Sequence, residues 1–188
     1  MRIIAGTFRG RSIIAPKGAA TRPTADRTRE AVFNLLAHRG DLSLAGARVI
    51  DLFAGSGAFG FEAMSRGAAF CLFVETDSAA RGAIRDNIEA LGLFGATRLH
   101  RRSATALGEK PAGLGDPFTL AFLDPPYRKD LAPPALAALR DGSWLGEGAL
   151  VVIEQAKDEA PAAAEGYAEI DRRVWGDTQV GVYRLAPM

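Results

Sequence analysis

Cysteine is nearly missing from this chain: Cys71 stands alone among 188 residues, so no internal disulfide framework exists. Histidine is scarce as well, at two residues, and no CxxC pair occurs; a structural zinc site needs more ligands than these. Long apolar runs are lacking. The longest, such as "ALVVI", fall far below the roughly 20 residues of a membrane span. The opening "MRIIAGTFRGR" turns polar after two isoleucines, so it holds no signal-peptide core. The 21 glycines follow no three-residue period, which excludes a collagen-like chain. Hydrophobic residues at 48% and charged residues at 24% exclude wholesale disorder. A cytoplasmic protein of one domain, with a short appendage, is expected.

Excess charge of one sign is also lacking, since the formal net charge is +1. Its distribution is uneven. Residues 1–30 hold seven basic residues (Arg2, Arg9, Arg11, Lys17, Arg22, Arg27 and Arg29) against Asp26 and Glu30, a balance of +5. The rest of the chain carries −4. A basic end on an acidic body suits a polyanion-binding element joined to a catalytic core; a solvated arm is the plainer alternative.

The pattern predicts two short strands, "RII" and "RSII", joined as a hairpin across Gly6 to Gly10. A Pro/Gly/Ala-rich linker follows. Thr24 or Asp26 then caps a helix running to about Ala37. From Arg48 strands and helices alternate: "RVIDLF", a helix from Phe59 to Arg66, "AFCLFVE", a helix ending at Gly92, "TRLH", "FTLAFLD", a short Pro-started helix, and "ALVVIEQ". "YAEIDRRVW" and "TQVGVYRL", joined by a "GD" turn, close the chain as a hairpin. The expectation is an α/β fold with a mainly parallel sheet and a C-terminal antiparallel hairpin. Residues 1–40 form a basic hairpin-plus-helix extension and residues 41–188 the main domain.

Ligands of doubly wound sheets sit at the carboxyl ends of the strands. The first strand ends at Asp51 and runs into "AGSGAFG", where small residues let the backbone approach a ligand. The second ends at Glu75, 24 residues on, where a carboxylate accepts both hydroxyls of a ribose or caps the next helix. This spacing fits a dinucleotide and S-adenosylmethionine equally. The fourth strand decides between them, because it ends in Asp124-Pro125-Pro126-Tyr127. Two prolines hold the backbone extended and remove two N–H donors. Carbonyl and carboxylate acceptors beside an aromatic plate suit a planar group bearing an NH₂, an exocyclic base amine. Cys71 lies inside a strand, away from the strand ends, so a thiolate nucleophile is not expected.

Taken together, "DLFAGSGAFGFEAMSRGA", "VETD", "DPPY", "GDTQVGVYR" and the leader "RIIAGTFRGR…RPTADRTREAVFNLL" resemble the RsmD family of bacterial 16S ribosomal RNA guanine-N2 methyltransferases. The resemblance spans essentially the whole chain in order. It implies a Rossmann-like class I fold and S-adenosylmethionine as cofactor. It implies that Asp51 starts the cofactor loop, that Gly55, Ser56 and Gly57 meet the methionine part, and that Glu75 holds the ribose. Ser103 and Ala104 would reach the adenine, although Asp or Asn is more usual where Ser103 stands. Asp124, Pro125 and Tyr127 would form the target-base pocket. From the charge of the leader, Arg9 and Arg11 on the hairpin are expected to contact RNA directly, while Arg22, Arg27 and Arg29, closer to the core, contact RNA or brace the cofactor pocket. The implied partner is ribosomal RNA, free or in the small-subunit particle, with no metal, membrane or obligate protein partner. An adenine-N6 methyltransferase acting on DNA or another RNA shares "DPPY", but a leader of roughly 40 residues is short for a separate recognition domain. A non-catalytic RNA-binding module would not need both Glu75 and "DPPY" at strand ends.

Overall fold

The computed structural model describes residues 1–18 and 23–187, without the side chains of Pro23 and Thr24. Helix α1 (Pro23–Ala37) precedes strand β1 (Arg48–Leu52), helix α2 (Ala58–Ser65), strand β2 (Phe70–Val74), helix α3 (Ser78–Leu91) and strand β3 (Thr97–His100). Strand β4 (Phe118–Leu123), helix α4 (Ala132–Asp141) and strands β5 (Leu145–Ala156), β6 (Tyr167–Trp175) and β7 (Thr178–Leu185) complete the chain. The seven strands form one sheet in the order β3-β2-β1-β4-β5-β7-β6. The first five are parallel, and β7 runs antiparallel between β5 and β6. The chain thus winds outward from β1 in one direction and from β4 in the other. The crevice between them is where an open α/β sheet binds ligands.

Period-two alternation divides the strand residues between two cores. Val49, Cys71, Phe73, Leu120, Phe122 and Val152 face α1, α2 and α3. Ile50, Leu72, Ala121, Leu123, Val151 and Ile153 face α4 and Trp144. The first 40 residues share the former core, because Ile3, Ile13, Val32, Phe33 and Leu36 are all buried in it. Phe33 on α1 lies 5.4 Å from Phe122, which is itself 5.0 Å from Phe59 on α2. These rings pin α1 across the end of β4. No helix among the described residues is long and apolar enough to cross a membrane.

The expected leader hairpin is present in reduced form. Arg2 and Ser12 make a single antiparallel bridge, flanked by Ile3 N–H to the Arg11 carbonyl and Ile13 N–H to the Met1 carbonyl, each 2.9 Å. Several other leader amides turn instead to α2. Ile4 and Ala5 donate to the two Glu62 oxygens at 2.9 and 3.1 Å. Ser65 Oγ donates to the Ala5 carbonyl at 2.6 Å and accepts Phe8 N–H at 2.9 Å. Gly6 passes so close to the Ser65 carbonyl that a Cβ would overlap it, and its φ of +84° independently favours glycine.

Two expectations about the leader need correction. Helix α1 begins at Pro23, so Thr24 and Asp26 lie within its first turn and do not precede it. Proline at the first position pre-sets the helical φ and lacks only an N–H that would have been orphaned anyway. Arg29 is not a surface cation either. It is 1% exposed, donates to the Arg2 carbonyl at 2.6 Å, and pairs with Asp26 at 3.1 Å and with the fully buried Glu62 at 3.6 Å. Its charge is spent inside the fold and does not reach a phosphate. Arg22 falls outside the described residues.

Removing one partner of a buried ion pair leaves the other charge uncompensated. Arg29→Ala is therefore expected to lower unfolding free energy by about 3–5 kcal/mol, read from urea denaturation. An unchanged midpoint would place Arg29 at the surface after all.

Candidate active site

The carboxyl ends of the parallel strands open into one cleft of about 840 Å³. Phe53 follows β1, Glu75 and Thr76 follow β2, Ser103 and Thr105 follow β3, and Asp124 to Arg128 follow β4. Glu154 comes from β5, and Ala25 reaches the cleft from α1. Glu75, Ser103, Asp124, Pro125 and Tyr127 are thus brought together as the strand order requires.

Glu75 ties two elements. Its Oε2 accepts the Gly55 N–H and its Oε1 the Asp77 N–H, both at 2.8 Å. The capping alternative falls to a different residue, since Asp77 is the N-cap of α3 and accepts Ala80 N–H at 2.8 Å. One amide on each oxygen is compatible with further donors, because a carboxylate offers about four lone-pair directions.

The glycines of the loop have different reasons. Gly55 (φ +57°) has open space where a Cβ would stand. Gly57 (φ +80°) is buried, and a Cβ there would sit 2.6 Å from the Phe61 ring. At Gly60 a Cβ would meet Phe73 at 2.3 Å and Cys71 Sγ at 2.7 Å, so this residue lets α2 lie against β2. Ser56 remains partly exposed on the loop, and its carbonyl accepts Asn87 Nδ2 at 3.3 Å. The same Asn87 accepts the Ile14 N–H at 2.8 Å and donates to the Ile14 carbonyl at 2.9 Å. One side chain of α3 therefore joins the leader to the loop.

Asp51 differs from its expected place. It is 2% exposed and lies beneath the loop, where Oδ2 accepts Gly60 N–H at 3.0 Å. Burial pushes its carboxyl up to about 8; the Gly60 amide opposes the shift and the Glu75 charge adds to it. Asp51 shapes the loop from below. Ala104 is buried too and borders a small recess with Arg102 and Thr76, while Ser103 is exposed, its Oγ 2.9 Å from Thr105 Oγ1.

At the far wall Asp124 is exposed and Pro125 buried. Tyr127 is half-buried, and its hydroxyl donates to Glu154 Oε1 at 2.6 Å and lies 3.0 Å from Thr178 Oγ1. Burial, and then the Glu154 carboxylate, hold the phenol well above its ordinary pKa, so it stays a donor. The ring is thereby fixed by its tip. Cys71 is buried, with burial pushing its thiol up, and supplies no thiolate.

Phe53, Thr76, Thr105, Arg128 and Glu154 line the cleft without having been singled out in the sequence. Phe53 and Arg128 carry left-handed φ values of +57° and +60°, strain that clusters at functional sites. No sequence signal marks such a conformation at a non-glycine residue. Of the leader arginines, Arg2, Arg9, Arg11 and Arg27 are exposed; Arg2 donates to the Gly10 carbonyl at 2.8 Å and Arg11 to the Ala90 carbonyl at 2.6 Å. No cluster of metal-ligating side chains occurs among the described residues.

Comparison with known proteins identifies the family and the fold. The family model described as conserved hypothetical protein 95 matches residues 1–184. The Escherichia coli K12 ribosomal RNA small subunit methyltransferase D is 33% identical over 98% of this chain and 89% of its own. Among solved structures, the Escherichia coli protein yhhF aligns with a TM-score of 0.82 at 32% identity, covering 100% of this chain and 99% of its own. The magnesium protoporphyrin IX methyltransferase of Synechocystis PCC 6803, solved with bound SAM, shares the fold at a TM-score of 0.65 and 13% identity, over 90% of this chain and 87% of its own.

The raised carboxyl of Asp51 makes stability pH-dependent. The unfolded group titrates near 3.8 and the folded one near 8, so the folded state holds the extra proton between these values. Its contribution is full below pH 4 and is lost as pH rises through about 8. Asp51→Asn, which keeps an acceptor for Gly60, is expected to flatten the fall in unfolding free energy between pH 5 and 8.5. Equal slopes in the two proteins would contradict the buried, protonated carboxyl.

Proposed function

The chain belongs to the RsmD family of methyltransferases, and from that membership we propose that it methylates the exocyclic N2 amine of a guanine in small-subunit ribosomal RNA, with S-adenosylmethionine as donor. The observation that carries the reading is the cleft itself. It opposes a ribose-type carboxylate, Glu75 after β2, to a base-amine site built from Asp124, Pro125 and Tyr127 after β4, at the ends of the two strands that flank β1.

When bound, S-adenosylmethionine supplies a methyl group on a cationic sulfur. Glu75, already oriented by the Gly55 and Asp77 amides, accepts the ribose hydroxyls. Gly55 and Ser56 offer a loop that a ligand approaches closely, while Gly57, Gly60 and Asp51 hold that loop from beneath. Ser103 and the Ala104 backbone border the adenine end.

The amine of guanine is a weak nucleophile because its lone pair is delocalised into the ring. Asp124 and the Pro125 carbonyl accept its N–H groups and aim the lone pair at the methyl carbon. They would also stabilise the positive charge building on nitrogen as a nitrogen–methyl bond replaces the sulfur–methyl bond, and Asp124 would take the proton the nitrogen then sheds. Tyr127 stacks on a base drawn out of its helix or loop. Its hydroxyl, held by Glu154 and Thr178, keeps the ring from turning away. The exposed Arg9, Arg11 and Arg27 contact phosphates. This chemistry belongs in the cytoplasm, where ribosomes are assembled.

Two variants separate binding from chemistry. Glu75→Ala is expected to weaken S-adenosylmethionine by about 1.5–3 kcal/mol, as for hydrogen bonds to a charged acceptor. Asp124→Ala should lower turnover by roughly 100-fold with cofactor affinity nearly intact, since its contacts act mainly in the transition state. Calorimetry and methyl-transfer kinetics distinguish the two losses; full activity in Asp124→Ala would sink the amine site.

The leader is tested by salt. Replacing both Arg9 and Arg11 with Ala should reduce the slope of log affinity for RNA against log salt by about one to two units, leaving S-adenosylmethionine affinity alone. A slope identical to wild type would move the RNA elsewhere.

A further inference from the structure

We propose that Glu154 reads the target base, accepting the ring N1–H of guanine while Asp124 takes the adjoining amine, so that the two carboxylates together select guanine over adenine. This inference rests on the guanine-N2 reading above.

Neighbouring parallel strands place the two acids. Leu123 of β4 pairs with Ile153 of β5, so Asp124 and Glu154 are the next residues on adjacent chains, about 4.8 Å apart at the backbone. They also share a face. Phe122 and Val152 both lie in the core under α1, and one alternation further brings Asp124 and Glu154 out on that same side. Both line the cleft, as does Ala25 of α1.

The chemistry of the wall is acceptor-rich. Glu75, Asp124 and Glu154 all border the cleft, whereas the guanidinium of Arg128 is paired with Asp158 at 2.9 Å. Such a wall repels phosphate, so its acceptors are matched to N–H donors. Guanine presents two of these side by side, N1–H and the N2 amine. Adenine presents an amine beside a bare N1 acceptor. An ionised carboxylate has no proton to offer that N1, and two facing acceptors leave both unpaired. A second carboxylate next to Asp124 is thus surplus for an amine site in general and fitted to guanine in particular.

Glu154 is held for this task. The Tyr127 hydroxyl donates to its Oε1 at 2.6 Å, and its strand lies between β4 and β7 in the sheet. A carboxylate accepts several donors at once, so the phenol's bond and a base N–H are compatible. The same phenol links the reading carboxylate to the stacking ring.

The test uses the full-length protein and small-subunit ribosomal RNA carrying either guanine or 2-aminopurine at the position the wild type methylates. 2-Aminopurine keeps the N2 amine and has a bare N1. Wild type should prefer guanine in kcat/KM, and Glu154→Gln, whose amide can donate to N1, should narrow that preference about tenfold or more, the discrimination one good base-edge pairing supplies. Tyr127→Phe, which keeps the carboxylate, should lower turnover and retain the preference. Equal losses on both substrates in Glu154→Gln would overturn the proposal and leave Glu154 as a brace for Tyr127. Wild type that methylates 2-aminopurine as well as guanine would overturn it without recourse to any variant. Wild type that places no methyl on guanine N2 would instead overturn the functional reading beneath it.

Discussion

The buried carboxylate of Glu62 joins the two halves of the molecule, and the cleft depends on that joint. Glu62 stands on α2, the helix that begins directly after the glycine loop. Its oxygens take the Ile4 and Ala5 amides and face the guanidinium groups of Arg29 and Arg66. An uncompensated charge there would be costly; four partners from three segments hold it instead. Through Arg29 the same joint fixes α1, which supplies a wall of the cleft and packs its Phe33 on the Phe122 ring. The leader is thereby part of the fold that positions the site, and its remaining exposed arginines are displayed from a rigid base.

Around that joint the cleft is built from strand ends alone. Strands β1 to β4 are parallel, so the loops after them all open on one side, and the reversal of winding between β1 and β4 parts them into a crevice. Each contributes one kind of group: a bent loop, a carboxylate, a hydroxyl pair and a proline-stiffened acceptor. Glu75 joins the first two through the Gly55 amide, and Asn87 joins the leader to the loop's Ser56 carbonyl. A shift of any one of these elements is felt by the others, as good positioning for a weak nucleophile requires.

Much of this was legible in the sequence, because period and punctuation report what a backbone needs. The alternation of strands with helices gave the winding, "AGSGAFG" gave the loop, and Pro125-Pro126 gave a stiff strand end with an aromatic beside it. Gly92 was recognisable as the C-cap of α3, and it has the left-handed φ of +67° that such a cap uses. Burial of charge was not legible. Arg29 looks like any helix-surface arginine until α2 brings Glu62 to it from 33 residues away. Asp51 stands at the start of the loop in sequence but on the inward face of β1 in space. Glu154 was hidden for the opposite reason: within "ALVVIEQ" it reads as the polar end of a buried strand, and only the register with β4 sets it beside Asp124. The start of α1 carries its own sequence signal, because Pro23 is the kind of residue a first helical turn accepts.

The proposed chemistry rests on the acceptors at the end of β4 directing a methyl group onto guanine N2. The most direct measurement incubates the protein with S-adenosylmethionine carrying a labelled methyl and with small-subunit ribosomal RNA, in free and particle form, from cells lacking this protein, and then identifies the labelled nucleoside by mass spectrometry. A single labelled product, N2-methylguanosine, is expected. Label in N6-methyladenosine, or in no nucleoside of either substrate, would contradict it.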